Sequence, residues 1–225
     1  MVYAAADADS VAMALQAKAD CYRRAGMHRE ALQTLDRIAL YLVDAAARGA
    51  VLRAKADCCR ALGDVSGELS YLEEGGMAFQ EPARYAVLLA HAGRFAEARE
   101  AALQAADPDS QAAVDALFGD LPREKKEKTA AFLSFLSPAG HLYLGDPGGG
   151  LANVALNGAA AGFMAWQLLS GCWVTGLLGG GLLLRETYME QNIFRNADRV
   201  PAVNTAARSA FAERLEALLA GRTAG

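Results

Sequence analysis

Along the first half of the chain, small and large apolar residues recur among charged ones, and the recurrence is itself repeated. Leu15-Gln16-Ala17-Lys18-Ala19-Asp20-Cys21 returns as Leu52-Arg53-Ala54-Lys55-Ala56-Asp57-Cys58, a period of 37. This half is therefore predicted to be an array of helix pairs, each too small to bury its apolar face without its neighbours. The first helices of three copies close at Gly26, Gly63 and Gly93, because glycine takes the left-handed conformation that ends a helix. Alanine follows five residues after two of these glycines, at Ala31 and Ala98, where it lets a second helix pack closely. Asp109 or Ser110 is expected to cap one more short helix, running to Leu117.

The alternation stops further on. Residues 130–184 hold a single charged side chain, Asp146, whereas about a quarter of a water-soluble domain is charged. Turn residues divide the stretch into 130–145, interrupted by Pro138, then 151–170, then a third piece from Cys172 whose apolar part ends at Arg185. A bilayer core needs about 20 helical residues. Only the middle piece has that length, and the third must tilt or snorkel its arginine. The pattern is read as a membrane hairpin turning at Ser170-Gly171; the other parse is one span over 163–184 with 151–162 lying at the interface. Both arms carry Gly-x-x-x-Gly, at Gly158/Gly162 and Gly176/Gly180, which lets backbones approach, and Asn153, Asn157 and Gln167 can bridge helices away from water. Beyond it, Val203, Ala207, Phe211, Leu215 and Leu219 form one stripe of an amphipathic helix.

The fold class is thus all-α: a helical solenoid over 1–121, a charged linker over 122–129, a membrane hairpin over 130–200 and an amphipathic helix over 201–225. Charge sharpens this division. Residues 1–122 carry 12 Lys+Arg against 18 Asp+Glu, and 123–225 carry 10 against 8. Neither half offers the basic face that phosphate neutralisation requires, so nucleic acid is not expected as a partner. Arg123, Lys125, Lys126 and Lys128 stand directly before the apolar stretch, a position that resists translocation.

The repeats resemble tetratricopeptide repeats, with small residues where helices cross (Ala19, Ala56, Ala86) and larger ones in the groove (Tyr22, Cys59, Leu89). The second copy departs from the pattern at Glu68, where a small residue is usual. The resemblance covers roughly residues 10–106 and implies a protein-binding concave face lined by the first helix of each pair. Carried over position by position, that face presents Gln16, Asp20 and Arg23, then Arg53, Asp57 and Arg60. The recurring Asp-x-x-Arg can also be read as a solvated ion pair within each helix, worth about 0.2–0.5 kcal/mol.

A second resemblance lies in Ser137-Pro138-Ala139-Gly140-His141-Leu142-Tyr143-Leu144-Gly145-Asp146. It is similar to the opening of the bacterial two-transmembrane-helix hairpin family, Pro-Gly-x-Gly-Gln-x-Tyr-x-Gly: Gly140, Tyr143 and Gly145 match, while Ser137, Pro138 and His141 depart. Asn192-Ile193-Phe194 with Asn204 resembles the closing segment of a subgroup that fuses this hairpin to tetratricopeptide repeats. The residues singled out in the hairpin are Gly140, His141, Tyr143, Gly145, Asn157, Gly158, Gly162, Gly176, Gly180, Asn192 and Asn204.

The chemistry expected is not enzymatic. No nucleophile, base and orienting residue can be assembled from the side chains present. The glycine-rich loop after Gly145 lacks the Lys-Ser/Thr of a phosphate cradle. Four cysteines without C-x-x-C spacing and three dispersed histidines predict no metal, and no cofactor is expected. Cys21 and Cys58 occupy equivalent repeat positions, where a bridge and two small core residues are both consistent readings. The function expected is a membrane-anchored scaffold holding a protein partner. The alternatives are a structural subunit of a larger bacterial envelope or secretion assembly, and a small transporter or channel. The basic residues place both termini on the cytoplasmic side of a bacterial inner membrane. Met1-Val2-Tyr3-Ala4-Ala5-Ala6 resembles the end of a removed secretory signal and points instead to an exported solenoid.

Overall fold

The structure, a computed structural model, describes residues 8–77 and 80–221; Met1 to Ala6, read above as the end of a signal, lie outside them. Every regular element is helical among the described residues. The chain forms two compact units. One joins the chain up to Leu121 with the segment from Arg208 onward, and the other is Pro122–Ala207.

In the first unit, α1 (Ala8–Arg24), α2 (His28–Leu35), α3 (Ala45–Leu62), α4 (Val65–Glu74), α5 (Pro82–His91), α6 (Phe95–Ala105) and α7 (Pro108–Phe118) follow one another. α1 packs on α2, α3 on α4 and α5 on α6, and each pair contacts the next. The pairs turn where glycine permits it: Gly26, Gly63 and Gly93 have φ of 74°, 72° and 79°, values that strain any side chain with a Cβ. Asp44 and Asp64 cap α3 and α4 by accepting from the amides of Ala47 (2.6 Å) and Gly67 (3.0 Å), meeting two of the donors a helix start leaves unpaired. The last helix of the stack begins earlier than the sequence implied. Pro108 occupies its first turn and Asp107 precedes it, because proline fixes the helical φ and needs no amide partner there. Asp109 therefore lies inside the helix rather than at its cap.

Two apolar cores run through this unit. Ala12, Ala19, Ala31, Leu35, Ile38, Val51 and Cys58 form the first. The second centres on Leu52, Leu72, Leu89 and Val114, and includes Phe211, Ala212, Leu215 and Leu219 from the far end of the chain. These belong to α12 (Arg195–Ala220), whose final turns complete the solenoid. Burial of each of the three large side chains stabilises by about 1.5–3 kcal/mol. The amphipathic tail thus packs on the repeats, a choice its own stripe left open. All four cysteines are free, Cys58 and Cys59 buried, Cys21 and Cys172 exposed, so no bridge joins Cys21 to Cys58.

The second unit contains α8 (Glu127–Ser134), α9 (Ala139–Leu144) and the hairpin. Its first arm is α10 (Pro147–Leu169), capped by Asp146, which accepts from the Gly149 amide at 2.9 Å. A turn through Ser170 and Gly171 (φ 77°) leads to the second arm. That arm is π-helical over Thr175–Gly180 and Glu186–Phe194, with α11 (Gly181–Arg185) between them, and it runs into α12. Two antiparallel arms are present where the sequence predicts a hairpin, but among the described residues no helix is long and apolar enough to cross a membrane. Asn153, Asn157 and Gln167 dilute α10, and Arg185 and Glu186 interrupt the second arm.

Candidate functional site

Three first helices, α1, α3 and α5, carry the charged face expected of the repeats, and the structure ties it into a ladder. Arg23 pairs with Asp20 on its own helix and with Asp57 on α3, each at 3.2 Å. Asp57 also accepts from Arg84 of α5 at 3.0 Å, and Arg84 donates to Glu68 (2.5 Å) and Glu81 (2.9 Å). Arg53 reaches Glu81 at 3.4 Å and donates to Gln80 at 2.6 Å. The Asp-x-x-Arg repeat is therefore split: Arg23 bonds within its helix and across to the next pair, whereas Asp57 is held by Arg23 and Arg84.

Burial decides which of these contacts matter. The side chains of Arg84 and Glu68 are 12% and 5% exposed, so neither charge has water as an alternative partner. Burial opposes the charge on Arg84, but hydrogen bonds to Glu68 and Glu81 outweigh it and raise its pKa above the ordinary guanidinium value. The outer pairs, half exposed, contribute at most about 1 kcal/mol each.

Two open grooves adjoin the ladder. One, of about 520 Å³, is lined by Arg23, Arg53, Asp57 and Gln80 together with the small residues Ala46, Gly49 and Ala50. The other, of about 420 Å³, lies between Arg60 of α3, Arg84 and Val87 of α5, and Glu216 and Leu219 of α12. Of the six residues expected on the face, Arg23, Arg53 and Asp57 line the first groove and Arg60 the second. Asp20 supports Arg23 from outside both, and Gln16 lines neither. Sequence reasoning missed Arg84 and Glu81, and left open that the tail packs on the repeats. Two opposite anomalies could have located Arg84: an arginine in the otherwise apolar α5, and Glu68 where a small residue is usual.

The second unit has an inverted arrangement, polar between its elements and apolar outside. Asn157 donates to Asn153 (2.8 Å) and accepts from Thr187 of the opposite arm (2.7 Å). Asn153 also meets Ser137 at 2.8 Å. Deeper in, Asn192 donates to the Ser134 carbonyl (2.5 Å), and Asn196 donates to the Ser134 hydroxyl (2.9 Å) and to Asn192 (3.2 Å). Gly140 is buried beside Ser134, where a Cβ would collide, and His141 is 6% exposed. Gly145 turns with φ 80°. Tyr143 accepts from the Lys126 amide at 3.0 Å. Asn204 exchanges two hydrogen bonds with the backbone of Lys125, at 2.8 and 2.9 Å, holding α12 to the charged linker.

The glycine pairs separate. A Cβ on Gly180 would lie 2.5 Å from that of Met164, and one on Gly176 3.0 Å from Leu168, so these two let the arms approach. Gly158 and Gly162 have nothing within 4 Å. Outward from the arms stand Leu151, Trp166, Leu169, Trp173, Val174, Leu177, Leu178 and Leu182, all exposed, Leu169 to 89%. Among the described residues no group of three His, Cys, Asp or Glu is placed to hold a metal. Comparison with models of protein families, with curated proteins and with solved structures finds no match to the chain.

Proposed function

We propose that the chain is a membrane-held scaffold, in which the apolar hairpin beds in a lipid bilayer and a tetratricopeptide-like solenoid presents its α3 and α5 face to a partner protein. The observation that carries this reading is the inverted hairpin. Asn153, Asn157 and Thr187 bond to one another between the arms while the leucines and tryptophans face outward. In water that arrangement exposes apolar surface with no compensation; in lipid it pairs Asn153, Asn157 and Thr187 between the arms and leaves hydrocarbon against hydrocarbon. The two asparagines lower the apolar character of α10 alone, but their polarity is met by each other and by Thr187 of the second arm. Basic residues Arg123, Lys125, Lys126 and Lys128 suit an anionic bilayer surface beside the hairpin and favour the cytoplasmic side.

Flotation tests the anchor. Full-length protein reconstituted into vesicles of phosphatidylethanolamine and phosphatidylglycerol should float with lipid and resist extraction at alkaline pH. Recovery as a monomer without lipid or detergent overturns the reading. A structural subunit of a larger envelope assembly is the second reading, supported by the open Gly158/Gly162 surface on α10, which fits another helix. Site-directed crosslinking from Gly158 to a different membrane protein, with no partner retained by the solenoid, would favour it.

A further inference from the structure

The tail segment 208–220 sits on the solenoid as a ligand would. It reaches the repeats only after the whole of the second unit has intervened in sequence. It buries one stripe, Phe211, Leu215 and Leu219, with Ala212 beside it, and leaves Glu213, Arg214, Glu216 and Ala217 exposed. Phe211 is the anchor: its ring meets Phe95 of α6 and Phe118 of α7 edge-on, with centroids 5.2 and 5.1 Å apart. Ser209 approaches His91 of α5 at 3.4 Å. Among the described residues, about 420 Å³ stays open beside the tail's last turn, along Arg60, Val65, Ala83, Arg84 and Val87, where Arg84 also belongs to the charged ladder.

We propose that this is a helix-docking groove held in the resting protein by the chain's own tail, and that its external ligand is an amphipathic helix of a partner protein. Such a helix presents a large aromatic and two leucines at four-residue spacing, the pattern the tail shows to fit. It carries a carboxylate on the flank facing Arg60, where Glu216 already shares the groove wall. A partner helix whose side chains fill that open volume gains contacts that the described tail residues do not make, which is how it displaces a competitor favoured by tethering. The inference rests on the reading of the α3 and α5 face as a docking surface, but not on the membrane anchor.

The test uses the full chain in detergent micelles and, as probe, a fluorescent peptide of residues 205–221 followed by anisotropy. The variant Phe211→Asp with Leu215→Asp should release the tail and bind the peptide at least about tenfold more tightly than the wild type. A peptide carrying the same two substitutions should not bind, and Arg60→Glu in the released chain should weaken binding several-fold. Equal binding to wild type and released chain, or none to a released chain that keeps Cys58 and Cys59 protected, overturns the proposal. So does exposure of those cysteines in both the released chain and a chain ending at Ala207, which would make the tail a fixed part of the core. A wild-type dimer that the peptide dissolves would assign the groove to a second copy's tail and overturn the partner assignment. If flotation succeeds while the peptide fails, only this inference falls.

Discussion

Arg84 holds the repeats together through three carboxylates, but only Glu68 depends on it entirely. Asp57 and Glu81 keep a third or a quarter of their surface in water, and each has another arginine, Arg23 and Arg53. Arg84→Met is therefore expected to cost about 3–5 kcal/mol, because it leaves the buried Glu68 charge unpaired. Adding Glu68→Leu should recover most of that loss, since an apolar pair of similar volume needs no compensating charge. Urea unfolding of the two variants checks the order. Recovery by the second substitution would show that Glu68 serves to compensate the largely buried Arg84 rather than to stabilise the fold on its own. The thiols give a second expectation at this scale. Burial pushes Cys59 up to about 11, with the nearby Asp64 adding to it, and burial also raises Cys58. A maleimide at pH 7.5 should label Cys21 in the folded protein and reach Cys58 and Cys59 only on unfolding, as mass spectrometry of the labelled peptides would show.

The two arms of the hairpin meet on the Gly176 and Gly180 side, so the chemistry of each glycine differs by position. Gly180→Val should separate the arms and destabilise the unit by about 1–3 kcal/mol, the cost of overpacking a close contact. Gly158→Ala and Gly162→Ala, facing open space in α10, should be neutral or stabilise by up to about 1 kcal/mol, the helix preference of alanine over glycine. Thermal unfolding in micelles separates the two outcomes. Equal effects at both pairs would mean that the arms pack through both. All four glycines were legible as a pair of motifs, but which pair faces the other arm was not. That depends on the rotation of α10 about its axis, and the rotation is set by Asn153, Asn157 and Thr187 finding one another across the turn.

At the scale of the whole chain, the repeats are not complete without the tail. A fragment ending at Leu121 keeps both helix-pair cores but exposes Phe95, Phe118 and the surrounding apolar groove. It should remain helical by circular dichroism and self-associate, and the 205–221 peptide should return it to a monomer in sedimentation experiments. A fragment that stays monomeric without the peptide would show the groove to be of little consequence to the solenoid.

What the sequence determined by itself is what local physics controls. Glycine at Gly26, Gly63 and Gly93 stops helices because the left-handed backbone is open to it alone, and the 37-residue period repeats one supersecondary unit. The near absence of charge over 130–184 marks a stretch whose outer surface is apolar in any arrangement. Tertiary structure decided the rest. Arg84 finds Glu68 and Asp57 from separate helices, Phe211 meets Phe95 and Phe118 after the whole second unit has intervened in sequence, and Asn153 and Asn157 of the first arm meet Thr187 of the second. In each case the partner lies outside the local segment: a buried charge or an asparagine in an apolar stretch marks the need for a partner, but only the packing of separate helices decides which residue supplies it.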